Sequence, residues 1–147
     1  MLSQRARYAV KAMLNIARTP ESASQVRSIS DEEGIPRRFL EVIMVDLRRA
    51  GLVESARGKT GGYRLARPAS LISFAEILRT IDGPLALLPC ASRNFYARCA
   101  DCPDTVHCAL SLVLAEARDR MASVLEGTTL ADADALDRRF QLLREVA

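Results

Sequence analysis

The chain has 147 residues, of which 49% are hydrophobic and 27% charged, with a formal net charge of +3. That is enough apolar mass for one ordinary domain with a core, and no stretch approaches the roughly 20 apolar residues of a membrane span. Met1 to Arg18 is amphipathic and lacks a continuous apolar core, which excludes a secretory signal and points to the cytoplasm.

Helix formers dominate and aromatics are scarce, so the fold class expected is mainly α. Ser3 caps a first helix to about Arg18, with Ala9, Val10, Met13, Leu14 and Ala17 on its apolar face. Thr19-Pro20-Glu21-Ser22 is a break. A short second helix over Val26 to Glu33 ends at Gly34. Pro36 falls in the first turn of a third helix that runs to about Ala50, its core face Leu40, Ile43, Met44 and Leu47. Leu52 to Ala56 and Tyr63 to Ala66 are two short strands around the glycine-rich turn 57–62, a hairpin closed by Pro68. Ser73 caps a fourth helix with Phe74, Ile77, Leu78 and Ile81 inward. Residues 83–105 form a loop with three prolines and three of the four cysteines. A long helix follows over about Val106 to Leu125, where Leu110, Leu114, Ala117, Met121 and Val124 step by 4, 3, 4 and 3. That heptad-like seam suits packing against another helix. Thr128 or Thr129 caps a last helix with Ala133, Leu136, Phe140 and Leu143 at similar spacing.

Three short helices followed by a hairpin are the layout of a winged helix-turn-helix with a two-stranded wing, here joined to a long dimerisation helix. The domain reading is a DNA-binding unit over 1–82, a cysteine-bearing loop over 83–105 and dimerisation helices over 106–147. Charge agrees: residues 1–70 hold thirteen Lys and Arg against seven Asp and Glu, and residues 71–147 hold eight against eleven. A basic half is the footprint of a polyanion partner. With the core face of the third helix buried, Arg37, Arg38, Glu41 and Arg48 face outward, the first three in the N-terminal turns that meet base edges. Arginine offers guanine a bidentate fork and glutamate accepts from cytosine. Phe39 either touches a thymine methyl or packs inward. Arg57, Gly58 and Lys59 at the wing tip suit a close approach and a minor-groove contact. Arg5, Arg7 and Tyr8 are placed to hold phosphates. Gly58-Lys59-Thr60 is not a P-loop, because that motif needs a glycine where Val53 stands and a helix where Gly61-Gly62-Tyr63 turns to strand.

These residues resemble the Rrf family of bacterial winged-helix transcription regulators, of the IscR, NsrR and RirA type. The resemblance is carried by Leu2-Ser3…Arg7-Tyr8-Ala9-Val10, Gly34-Ile35-Pro36…Phe39-Leu40-Glu41 and Gly51-Leu52-Val53…Arg57-Gly58…Gly61-Gly62-Tyr63-Arg64-Leu65. It continues through Ile72-Ser73…Ile81-Asp82 and the loop cysteines to Thr129-Leu130-Ala131-Asp132. It implies a homodimer with crossed long helices that reads a palindromic operator, Arg57 as a minor-groove contact and Glu41 as a base reader.

All four cysteines, Cys90, Cys99, Cys102 and Cys108, lie within nineteen residues in the spacing Cys-x8-Cys-x2-Cys-x5-Cys. Cys108 falls in the first turn of the long helix after possible caps Asp104 and Thr105, so the helix N-terminus, with Arg93 and Arg98, favours thiolates, the form that binds soft metals. The resemblance matches Cys102 and Cys108 to the last two of three cluster cysteines, with Cys90 more distantly spaced and Cys99 extra. Where other members add a histidine or an acidic ligand, this chain has Ser111 and Arg7. An all-cysteine iron–sulfur cluster of two or four irons is therefore the reading the family implies. A thiol–disulfide or persulfide switch stays open, as does a structural zinc, although only Cys99 and Cys102 form a close pair. His107, the only histidine, reads as a solvated helix residue. An enzyme, for instance a Cys-x-x-Cys oxidoreductase, lacks a strand–helix setting for that motif.

Overall fold

The computed structural model describes residues 2–58, 61–102 and 108–145, the side chains of 140–145 excepted. Its first helix, α1 (Gln4–Ala17), begins at Ser3, whose Oγ accepts the Ala6 N–H at 3.0 Å. The Ser3 N–H also donates to Asp82 at 3.0 Å, which ties the start of α1 to the end of the fourth helix. α1 is the central helix. Ala6, Ala9, Ala12, Met13 and Ile16 are buried, and the small residues let neighbouring helices approach closely. The expected apolar set was displaced: Val10, Leu14 and Ala17 are only partly buried, while Ile16 lies in the core. A helix packed on several sides has no single stripe for a period to reveal.

The second helix, α2 (Val26–Glu33), ends at Gly34 with φ 64°, the left-handed C-cap conformation glycine adopts without strain. Ser30 Oγ donates to the Ile35 carbonyl at 2.7 Å and fixes the turn. α3 (Arg37–Arg49) buries Leu40, Ile43, Met44 and Leu47 as its spacing predicts. Pro36 precedes this helix as its N-cap residue instead of lying in its first turn.

Strands β1 (Val53–Ala56) and β2 (Gly62–Leu65) pair antiparallel, Val53 opposite Leu65 and Ala56 opposite Gly62, each beginning one residue away from its expected start. Ser24, in the link between α1 and α2, extends this hairpin: its N–H and carbonyl each bond Tyr63 at 2.8 Å. The approach is so close that a Cβ on Gly62 would sit 2.4 Å from the Ser24 carbonyl oxygen. A 3₁₀ turn, Ala69–Leu71, leads to α4 (Phe74–Asp82), capped by Ser73. A second 3₁₀ turn, Pro89–Ala91, interrupts the following loop.

α5 (Ala109–Gly127) starts three residues later than the sequence suggests, so Cys108 is its N-cap and not part of its first turn. The proposed caps Asp104 and Thr105 lie outside the described residues. α6 (Leu130–Glu145) opens on a reciprocal cap: Thr129 Oγ1 accepts the Asp132 N–H at 3.2 Å and the Thr129 N–H donates to Asp132 at 2.9 Å. These bonds from Thr129 hold the Asp132 carboxyl below the usual aspartate range. Thr128 instead donates to the Val124 carbonyl at 2.8 Å. α6 folds back on the first helices: Leu130 is fully buried and Arg18 reaches Asp137 at 2.7 Å. No helix among the described residues is long and apolar enough to cross a membrane.

Candidate nucleic-acid interface and cysteine site

α3 presents Arg37, Arg38 and Glu41 to solvent, as expected, with Arg48 further along, and Phe39 beside them. Phe39 is 62% exposed, which settles its orientation outward. Arg37 Nε donates to Glu41 Oε1 at 2.9 Å, one turn along the helix. A base that takes the Glu41 carboxylate must share it with Arg37 or displace it. The sequence reading missed Val42, 57% exposed beside Phe39, although its place opposite the core residues was visible from the same period. Phe39 and Val42 together give the recognition helix an apolar edge suited to thymine methyl groups.

At the wing, Arg57 leaves β1 exposed, and Gly58 turns with φ 113°. The Gly61 N–H donates to the Gly58 carbonyl at 2.9 Å and tightens the tip. Lys59 lies outside the described residues. Arg64 pairs with Glu54 across the hairpin at 2.6 Å, which stiffens the wing behind Arg57.

The residues of α1 already have protein partners. Arg5 forms an ion pair with Asp46 of α3. Arg7 donates to Gln4 Oε1 at 2.6 Å and lies 5.9 Å above the Tyr8 ring, whose hydroxyl accepts from Gln4 Nε2 at 2.6 Å. Arg5 is thus a brace between α1 and the recognition helix, and still nearly half exposed.

The four cysteines come together. Cys90 sits in the Pro89–Ala91 turn, Cys99 and Cys102 in the following loop, and Cys108 at the head of α5. All are partly buried, and all four line one cavity of about 30 Å³ with Leu88, Tyr96 and Leu110. The hydrogen bond between the Cys99 and Cys90 thiols pushes the Cys99 thiol above its ordinary pKa, with desolvation and the neighbouring Cys90, Asp101 and Cys102 adding to it. Arg98 donates to the Cys102 backbone carbonyl at 2.6 and 3.2 Å, and Arg93 pairs with Asp119 at 3.0 Å. A guanidinium prefers an ionised carboxylate to a neutral thiol, so Asp119 wins Arg93. Ser111 also lines the cavity, and His107 lies outside the described residues. Among the described residues no three Cys, His, Asp or Glu side chains stand ready to hold a single metal ion. Four thiols around one cavity fit a soft iron–sulfur group in donor type.

Residues 2–134 match the model of the Rrf2 family, described as an iron-dependent transcriptional regulator. Over 136 residues the chain is 41% identical to an Rrf2-like HTH-type transcriptional regulator of Rhodobacter capsulatus, covering 90% of this chain and 91% of that one. It is 34% identical to the HTH-type transcriptional regulator IscR of Vibrio atlanticus, covering 89% and 73%. Among solved structures it is similar to CymR, the global cysteine regulator of B. subtilis, with a TM-score of 0.77 at 28% identity over 92% of this chain and 97% of that one. It is also similar to T. potens IscR, with a TM-score of 0.72 at 28% identity over 90% and 85%.

Proposed function

Because this chain belongs to the Rrf2 family, and so is a DNA-binding winged-helix transcriptional regulator and not an enzyme, we propose that it works as a homodimer on a palindromic operator and that its four cysteines hold an iron–sulfur cluster. The DNA-binding unit is residues 1–82, the sensor loop 83–105 and the dimerisation helices 106–147. α3 enters the major groove, where Arg38, Glu41 and the Phe39–Val42 edge read bases, while Arg57 and Lys59 of the wing reach the minor groove and Arg7 and Tyr8 meet phosphate. Arg5 supports this from behind through Asp46.

The observation that carries the cluster reading is the convergence of Cys90, Cys99, Cys102 and Cys108 on one cavity. A bound cluster would supply a redox-sensitive and oxygen-sensitive tie between the loop and the head of α5. Cys108 holds the α5 end of that tie and Cys90 the 3₁₀ turn. DNA affinity responds to the tie to the extent that the two arrangements of these segments differ in free energy. Protein prepared without oxygen is expected to be brown and to contain iron and inorganic sulfide. Cys102→Ser and Cys108→Ser remove both, Cys99→Ser weakens retention, and operator affinity differs between loaded and stripped forms. Stoichiometric zinc, or colourless protein without sulfide, overturns the cluster.

Cys90 and Cys99 line the same cavity, which supports a second reading, a thiol–disulfide switch at that pair. Colourless protein with a reversible Cys90–Cys99 disulfide by mass spectrometry selects it.

Arg57→Ala is expected to weaken specific binding by about 1–3 kcal/mol and to reduce the salt slope, while Glu41→Ala relaxes sequence preference with less loss of affinity. Titrations with operator and scrambled DNA at several salt concentrations check both. Unchanged operator affinity in Arg57→Ala removes the wing from the interface.

A further inference from the structure

One hollow stands apart from the cysteines. It is a cavity of about 380 Å³ between the end of α4, the loop after Pro89–Ala91 and one face of α5, within the range of about 300–1,000 Å³ usual for small-molecule sites. We propose that this cavity binds a small organic monocarboxylate with an apolar body, and that its occupancy is felt at the turn that carries Cys90. Neither the cluster nor the thiol reading is needed for this.

The charge arithmetic selects the head group. Among the described residues Arg79, Arg93 and Arg118 line the cavity against two carboxylates, Asp119 and Glu126, an excess of one positive charge. Arg79 pairs with Glu126. Arg93 at 3.0 Å and Arg118 at 2.7 Å both converge on the same oxygen, Asp119 Oδ1. The two guanidiniums hold the Asp119 carboxyl below its usual range, which keeps it ionised and the pair of arginines half neutralised. A monoanion completes this set, whereas a dianion beside two fixed carboxylates overcompensates it. The remaining N–H groups of Arg93, which is 71% exposed at the mouth, suit a planar carboxylate.

The walls select the body. Pro84, Leu85, Phe95 and Ala122 contribute apolar surface next to the arginines. Inorganic anions leave that surface in water. A short hydrocarbon or aromatic tail covers it, and Phe95, 68% exposed as it stands, gains a partner.

The coupling runs through Arg118. Its side chain is 14% exposed, it holds Asp119, and it donates to the carbonyl of Ala91, the residue after Cys90. Ser92, the next residue, is itself buried in the cavity wall, where its Oγ accepts the Phe95 N–H at 3.1 Å. A ligand that draws on Arg93 and Arg118 therefore pulls on the Pro89–Ala91 turn.

The test titrates the full chain with 3-phenylpropionate, 3-phenylpropan-1-ol and inorganic phosphate, followed by amide NMR shifts and calorimetry. The expected result is saturable binding of 3-phenylpropionate, with shifts at Ala91, Arg93, Phe95 and Ala122, and binding of the neutral alcohol and of phosphate weaker by about tenfold or more. Arg93→Ala, at an exposed position, is expected to weaken 3-phenylpropionate by about tenfold with an unchanged melting curve. Ala122→Phe fills the cavity and abolishes binding; if that variant does not fold, Arg93→Ala alone decides. No saturable binding overturns the site. Equal binding of phosphate and 3-phenylpropionate reduces it to an adventitious anion patch and overturns the ligand class. Binding unchanged in Arg93→Ala, or shifts confined to the outer face of α5, overturns the placement.

Discussion

Val113→Glu combined with Val124→Glu is expected to convert the protein into a folded monomer with operator affinity lower by about 10²–10⁴-fold, the factor lost when two linked half-sites become one. α5 buries none of its residues in the single chain. Val113 and Val124 are 65% and 66% exposed, and with Leu110, Ala117 and Met121 they recur at steps of three and four along one face. The seam read from sequence contained Leu114. In the structure Leu114 is only partly exposed and Val113 stands out instead. A contiguous apolar face of this length suits pairing with another helix. Identical helices crossing there would bury these valines, and four glutamates placed across the crossing would repel one another without any apolar gain. The protomer loses nothing, because both positions face solvent in it. Sedimentation velocity at micromolar concentration should read the monomer mass, and the circular dichroism spectrum should retain the helix signal. A dimer that survives both substitutions would remove α5 from the interface.

Much of the DNA-binding unit was legible because its cues are local. The period of Leu40, Ile43, Met44 and Leu47 located the core face of α3, and Gly34 marked the end of α2. The glycine-rich turn announced the hairpin. The spacing of the cysteines also announced a common site, and they line one cavity. What was not legible depends on contacts between distant residues. Ser24 joins the wing through a single bridge, too short to carry any period. Arg5 and Arg93 read from sequence as cations for phosphate and for thiolates. In the fold each also pairs with an aspartate, Asp46 or Asp119, supplied by another helix. A sequence shows that a cation is present but not which anion the fold brings to it.

Leu130→Ala is expected to lower stability by about 2–5 kcal/mol, the cost of truncating a fully buried leucine, and to release α6 from the DNA-binding unit. Leu130 is 0% exposed and belongs to the same core as Met13, Ile16 and Ile72. The stepping of Ala133, Leu136 and Phe140 drew attention away from it, yet Leu136 is 52% exposed. Two backbone bonds hold the entry to α6 in place: Leu130 N–H to the Ile72 carbonyl and Phe74 N–H to the Thr128 carbonyl, each 3.0 Å. They form one antiparallel bridge between Ser73 and Thr129, so the side chain is delivered into the core at a fixed angle. The ion pair of Arg18 with Asp137 lies further along, with the two side chains 42% and 46% exposed. Exposed pairs of this kind contribute about 0–1 kcal/mol. The anchor of α6 is therefore apolar, and the comparison that tests it is urea unfolding of Leu130→Ala beside Asp137→Ala. The first should lower the midpoint severalfold more than the second, and limited proteolysis should cut Leu130→Ala near 127–130 while the wild type resists. If Asp137→Ala costs as much as Leu130→Ala, the electrostatic clasp and not the buried leucine holds the C-terminal helix against α1.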